Sequence, residues 1–163
     1  MKVAVFIGSE SDFDVVEGAL VTLKEFEIPF ALEVTSAHRS PERTVELVKT
    51  FEEKGVEIFI AAAGKAAHLA GVVAAHTSFP VIAVPVGSSS LSGFDALLSS
   101  VQMPKGVPVA CMGLGKSGAV NAALLAVQIL GLNDPVLATK IKAYRKKMAD
   151  QVKESSEKIK DRL

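Results

Sequence analysis

The chain has 163 residues, 49% of them hydrophobic and 22% charged, enough to bury one core without disulfide or metal staples. Its 18 Lys and Arg balance 18 Asp and Glu at a sequence pI of about 6.8, which leaves no electrostatic footprint for binding nucleic acid. A single cysteine, Cys111 in the apolar run Val107–Met112, excludes an internal disulfide framework and a cysteine-rich zinc site, and it reads as a buried structural thiol.

In chain order, apolar runs predict strands at Lys2–Ile7, Phe30–Thr35, Val56–Ala62, Val81–Val86 and Val107–Met112. Helical patterns fall between them, near Phe13–Phe26, Pro41–Lys54, Leu69–Thr77, Phe94–Val101 and Ala119–Leu130. Strands that read as nearly continuous apolar runs are buried on both faces, as in a parallel sheet covered by helices. The alternation therefore predicts an α/β fold, a three-layer α/β/α sandwich with right-handed crossovers. Asp134 and Pro135 start a last helix as N-cap and first helical residue. It is expected to run over about 134–163 and to reach beyond its own domain, the whole chain of residues 1–163 forming a single domain. Val3–Ile7 is too short for a secretory signal, and polar residues and Pro80 interrupt the apolar stretch Leu69–Val86. The expectation is a soluble, cytoplasmic protein with no membrane span.

Charge is unevenly placed. Between residues 66 and 139 only Asp95, Lys105, Lys116 and Asp134 carry any. The stretch Ala119–Leu130 has none on any face, and a helix apolar all round needs cover on all sides. It is expected to be buried between subunits.

The connections differ by end. Helix-to-strand links such as Glu27–Pro29 and Lys54–Gly55 are short and bland. Strand-to-helix links are rich in Gly and functional groups: GSESD (8–12), SAHRSPE (36–42), AGKAAHLAG (63–71), GSSSLSG (87–93) and GLGKSGA (113–119). Ligands of open parallel sheets bind at the carboxyl ends of the strands, so these loops are expected to converge on one site.

GLGKSGA imitates a dinucleotide fingerprint, but no further strand follows to carry the ribose-binding acid, and its spacing is not that of a P-loop. Ser9, Ser11 and Asp12 can cap a helix or hold a phosphate and a sugar diol. His38 can exchange a proton near neutral pH, and Arg39 can grip an anion with its planar fork. Ser40 and Pro41 start a helix in the ordinary way. His68 reads equally well as a helix-entering histidine held by backbone or as a catalytic one, and His76 reads as structural. The three histidines lack metal-ligand spacing, so no metal is expected. A Ser9, His38, Asp95 triad lacks the G-x-S-x-G elbow.

Taken together, GSESD, SAHRSP, AAHL, residues 91–110 (LSGFDALLSSVQMPKGVPVA) and residues 121–130 (NAALLAVQIL) closely resemble the N5-carboxyaminoimidazole ribonucleotide mutase family of de novo purine synthesis. The resemblance covers nearly the whole chain in order. It implies a flavodoxin-like sheet and a homo-octamer in which the C-terminal helix reaches a neighbouring subunit. It also implies an isomerase that moves a carboxyl group from the exocyclic nitrogen of a phosphoribosyl imidazole to ring carbon C4, through transient CO2. His38 would be the general acid/base, with His68 in a secondary catalytic role. Ser9 and Arg39 would bind phosphate and Asp12 the ribose hydroxyls. Ser11 and Ser36 would complete that shell, and Ala67 and Leu69, with Ala66, would line a CO2-retaining pocket. No cofactor is implied. A related direct carboxylase that uses CO2 tends to read SAHK and AGRSNALSG at these loops, and Arg39 and the His68-bearing AAHL favour the mutase. A non-catalytic nucleotide-binding module is the remaining alternative on such a fold. Two positions depart from the mutase pattern, approximately GGAAHLPG: Lys65 stands for a glycine and Ala70 for the proline.

Overall fold

The computed structural model describes residues 1–162; Leu163, at the end of the expected C-terminal helix, lies outside them. Five strands, β1 (Val3–Ile7), β2 (Phe30–Val34), β3 (Ile58–Gly64), β4 (Val81–Val86) and β5 (Ala110–Cys111), form one sheet in the order β2-β1-β3-β4-β5. Every pairing is parallel, with Val3 against both Phe30 and Ile58, Phe59 against Val81 and Ile82 against Ala110. This is the flavodoxin-like strand order. The helices are α1 (Phe13–Glu25), α2 (Pro41–Glu53), α3 (Leu69–Ala74), α4 (Phe94–Val101), α5 (Gly115–Leu130) and α6 (Pro135–Lys160), with a single 3-10 turn over Glu10–Asp12 before α1.

The pleat sends alternate residues of the central strands to opposite faces. On one face Ala4 and Phe6 of β1, with Phe59 and Ala61 of β3, pack with Val48 and Phe51 of α2 and Leu69, Ala70 and Val73 of α3. The Phe6 ring stands 5.8 Å from that of Phe51 and 5.7 Å from that of Phe59, both tilted, which is favourable aromatic geometry. Val16, Ala19 and Leu23 of α1 are also fully buried. A Cβ added to Gly18 of α1 would lie 3.0 Å from Val120 of α5, so those two helices meet closely.

Some expectations change in detail. β1 and β4 are wholly buried and β3 nearly so, but β2, at the sheet edge, is only half-buried and so is not covered on both faces. β5 shrinks to two residues and begins beyond Pro108, which has no N–H to add to the ladder. The 3-10 turn was not expected. Ser40 precedes α2, yet its Oγ donates to the Ser36 carbonyl at 3.2 Å and accepts from the Ser36 N–H at 3.1 Å instead of capping the helix. Two glycines of residues 113–118 have structural reasons: Gly115 has φ +70, and a Cβ on Gly118 would come within 1.6 Å of the Gly113 carbonyl oxygen.

The chain divides into two compact units, Met1–Ala126 and Val127 onward. In the second, Asp134 caps α6 as expected, its carboxylate accepting from the N–H groups of Val136 at 2.9 Å and Leu137 at 3.0 Å. Among the described residues no helix is long and apolar enough to cross a membrane.

Candidate active site

A parallel sheet of this order has a switch point between β1 and β3, where the chain leaves the strands toward opposite sides and a crevice opens. A cavity of about 630 Å³ lies there. The β1 loop lines it with Gly8, Ser9, Ser11 and Asp12, and the β2 loop with Ser36, Ala37, His38 and Arg39. The β3 loop adds Ala63 to Ala66 and Leu69, and β4 is followed by Ser88.

The loops are braced before any ligand is considered. Gly8 N–H donates to the Ala62 carbonyl at 3.0 Å, tying the β1 loop to β3. Arg39 Nη2 donates to the Gly8 carbonyl at 2.9 Å, and the Arg39 N–H donates to Ser36 Oγ at 3.2 Å. At the root of the β2 loop, the buried hydroxyls of Thr35 and Thr44 lie 2.8 Å apart and lock it to α2. Ser11 Oγ donates to Ser9 Oγ at 3.0 Å. A Cβ on Gly64 would meet Ser88 Oγ at 2.1 Å, so the bare glycine lets the β4 loop close on β3.

His38 Nε2 lies 2.8 Å from His68 Nδ1, with the rings edge to face and their centroids 4.9 Å apart. One nitrogen must donate and the other accept, so the bonded pair cannot carry a proton on both facing atoms. Both rings are exposed and free to meet a ligand or solvent. Asp12, also on the cavity wall, is buried at 5% exposure. Burial pushes its carboxyl above the ordinary Asp range, while a backbone hydrogen bond from Ser9 and the charge of Arg39 pull the other way.

Of the residues read from the sequence, Ser9, Ser11, Asp12, Ser36, His38, Arg39 and Leu69 line the cavity. His68 joins them through His38. Ala67 does not line it: the residue is buried, and its N–H donates to Ser99 Oγ at 3.2 Å while its carbonyl accepts from Ser100 Oγ at 3.4 Å. Lys65 and Ser88 line the cavity without having been read as site residues, although both lie in loops marked by their Gly-rich, polar composition. Asp95 is not part of it, and its Oδ1 is buried without a hydrogen-bond partner. His76 is satisfied locally, its Nδ1 2.8 Å from the Val72 carbonyl one turn earlier. Cys111 is half-buried and its thiol is pushed up by desolvation, an unreactive setting.

The chain is similar to known proteins over most of its length. The family model described as AIR carboxylase matches residues 2–151. The N5-carboxyaminoimidazole ribonucleotide mutase of Pyrococcus abyssi is 51% identical over 147 residues, 90% of this chain and 83% of that one. The Bacillus subtilis protein of the same name is 48% identical over 157 residues, 96% of this chain and 97% of that one. The crystal structure of Treponema denticola PurE superposes with a TM-score of 0.87 at 33% identity, covering 96% of each chain. With the family model spanning nearly the whole α/β unit and its cavity-forming loops, the chain belongs to the AIR carboxylase family.

Proposed function

We propose that the protein is an N5-carboxyaminoimidazole ribonucleotide mutase, an isomerase of purine biosynthesis. The observation that carries the reading is the His38–His68 pair beside a cavity that gathers anion-binding and diol-binding groups at the switch point. The substrate is a ribonucleotide, so it needs a phosphate site and a hydroxyl site. Ser9 and Arg39 bind the phosphate, Asp12 accepts from the ribose hydroxyls, and Ser11 and Ser36 complete the shell.

His38 is the general acid/base of the proposed mechanism. The N–C bond of the carbamate breaks, releasing CO2, and the histidine proton goes to the exocyclic nitrogen. The electron-rich imidazole then attacks CO2 through C4, forming the new C–C bond. The C4 proton returns to the same histidine, so the enzyme ends in its starting protonation state. His68, bonded to His38, orients the ring for both transfers. Leu69 and Ala66 give the cavity an apolar wall that slows escape of CO2.

The assembly we propose is a homo-octamer in the cytoplasm, in which α6 reaches a neighbouring subunit. Its support is the apolar surface of one chain: Leu91, Phe94 and Leu98 on and before α4, and Val152 and Ile159 on α6, are exposed. The charge-poor α5 has one wholly buried face, and its other apolar residues are half-buried. Light scattering checks the assembly; a particle of 17.1 kDa overturns it.

The test of the activity is incubation of pure protein with the carbamate ribonucleotide, without ATP or added CO2, following formation of the 4-carboxylate. Product under these conditions supports the mutase. No product without CO2, but product from aminoimidazole ribonucleotide and CO2, assigns the direct carboxylase instead.

A further inference from the structure

We infer that Lys65 is a specificity-determining residue whose ammonium binds the carboxylate at the imidazole end of the ligand. The inference rests on the reading of the cavity as a site for a phosphoribosyl imidazole carboxylate. Such a ligand brings two anions, a phosphate at one end and a carboxylate at the reacting end. The cavity offers two cations on different loops, Arg39 after β2 and Lys65 after β3.

Arg39 is already tethered toward β1 by its bond to the Gly8 carbonyl, beside the serines of that loop. Lys65 opens the loop that ends, three residues later, on His68, the partner of His38. The carboxylate sits on the carbon whose proton the histidines handle, so it stays beside them. Both loops deliver a histidine, His38 beside Arg39 and His68 beyond Lys65, but of the two cations only Arg39 is drawn away toward β1. Among the described residues Asp12 is the only carboxylate lining the cavity, and its neighbouring charge is Arg39. Among the described residues Lys65 forms no ion pair, so its charge is uncommitted.

The backbone gives an independent argument. Lys65 has φ +56, a left-handed conformation that glycine adopts freely and other residues rarely do. The turn is locked from both sides. The Lys65 carbonyl accepts from the Ala67 N–H at 2.9 Å and from Ser99 Oγ at 3.4 Å, and Ser99 Oγ also accepts from that N–H at 3.2 Å. Strain held this firmly at the rim of a site belongs with function. The turn alone would favour glycine; a long side chain ending in a charge at the cavity is what lysine adds.

The experiment is isothermal titration of aminoimidazole ribonucleotide and of its 4-carboxylate into the wild type, Lys65→Asn and Lys65→Arg. Asparagine tolerates the left-handed turn and removes the charge, and arginine keeps the charge. The expected result is a loss of roughly ten- to a hundredfold in affinity for the 4-carboxylate in Lys65→Asn. Binding of the uncarboxylated ligand stays unchanged, and Lys65→Arg retains most of the preference. Equal weakening of both ligands assigns Lys65 to the phosphate and overturns the inference, as does no change in either. Circular dichroism checks the fold of each variant, and Lys65→Gly, which suits the turn, replaces Lys65→Asn if that chain misfolds. A wild type that binds neither ligand refutes the reading of the cavity itself, before any variant is compared.

Discussion

His38 Nε2 and His68 Nδ1 stand 2.8 Å apart although thirty residues separate them in the chain. The contact joins the loop after β2 to the loop after β3, across the β1 loop between them. In the proposed mechanism a proton transfer runs in both directions, which needs its base held in one orientation, and this contact would supply the hold.

Replacing His38 with Asn should lower kcat by about 10²- to 10⁴-fold, the usual contribution of general acid–base catalysis, while leaving the unfolding transition nearly unchanged. His68→Asn should lower kcat less, with KM altered little, because His68 acts through His38. Steady-state kinetics on both variants checks the order. Equal losses would place His68 on the substrate itself.

Asp12 gives a pH dependence with a definite sign. The folded chain holds the Asp12 proton more tightly than the unfolded chain, so ionised Asp12 opposes folding once pH exceeds the ordinary value of 3.8. That opposition grows until pH passes the raised folded value and is constant above it. Asp12→Asn should therefore resist urea better than the wild type at neutral pH, with the gap closing as pH falls toward the ordinary value. The same variant should bind ribonucleotide about tenfold or more weaker, having lost a charged acceptor. A gap that persists unchanged at low pH would contradict the assignment of the effect to this carboxyl.

Gly118 and Gly113 make a matched pair of tests. A Cβ on Gly118 would lie 1.6 Å from a backbone oxygen, whereas one on Gly113 meets nothing within 4 Å. Gly118→Ala should cost stability at or beyond the upper end of the ~1–3 kcal/mol typical of overpacking. Gly113→Ala should stay within about 0.5 kcal/mol of the wild type. Urea unfolding of the two variants decides; similar midpoints would show that residues 113–118 relax freely.

Cys111 should be slow to react. Its thiol is pushed up by burial, so little thiolate exists near neutral pH. A disulfide reagent should label the native protein at least about tenfold more slowly than the urea-unfolded chain. Labelling at equal rates would mean the end of the sheet around β5 opens readily.

The order of strands and helices is legible because β1, β3 and β4 are apolar at nearly every position and each loop after a strand breaks that pattern with Gly, Ser or a charge. The edges are harder to read. Phe30–Val34 has the composition of a central strand, and only its place beside β1 alone leaves it half-covered. Most of the candidate site follows from the rule that ligands gather at strand carboxyl ends. Ala67 is the exception: one residue from the cavity wall, it turns inward to the hydroxyls of α4. That turn depends on Ser99, thirty-two residues away, and no local pattern reveals it. The meeting of His38 with His68 is equally hidden, since it follows from strand order and not from spacing.

The strand order also separates two kinds of change. Packing that keeps water out of the sheet belongs to residues such as Val5, Phe6 and Ile60, whereas the groups that line the cavity hang from the ends of the same strands. A substitution in one loop can redirect which small molecule is favoured while the scaffold beneath it keeps its shape.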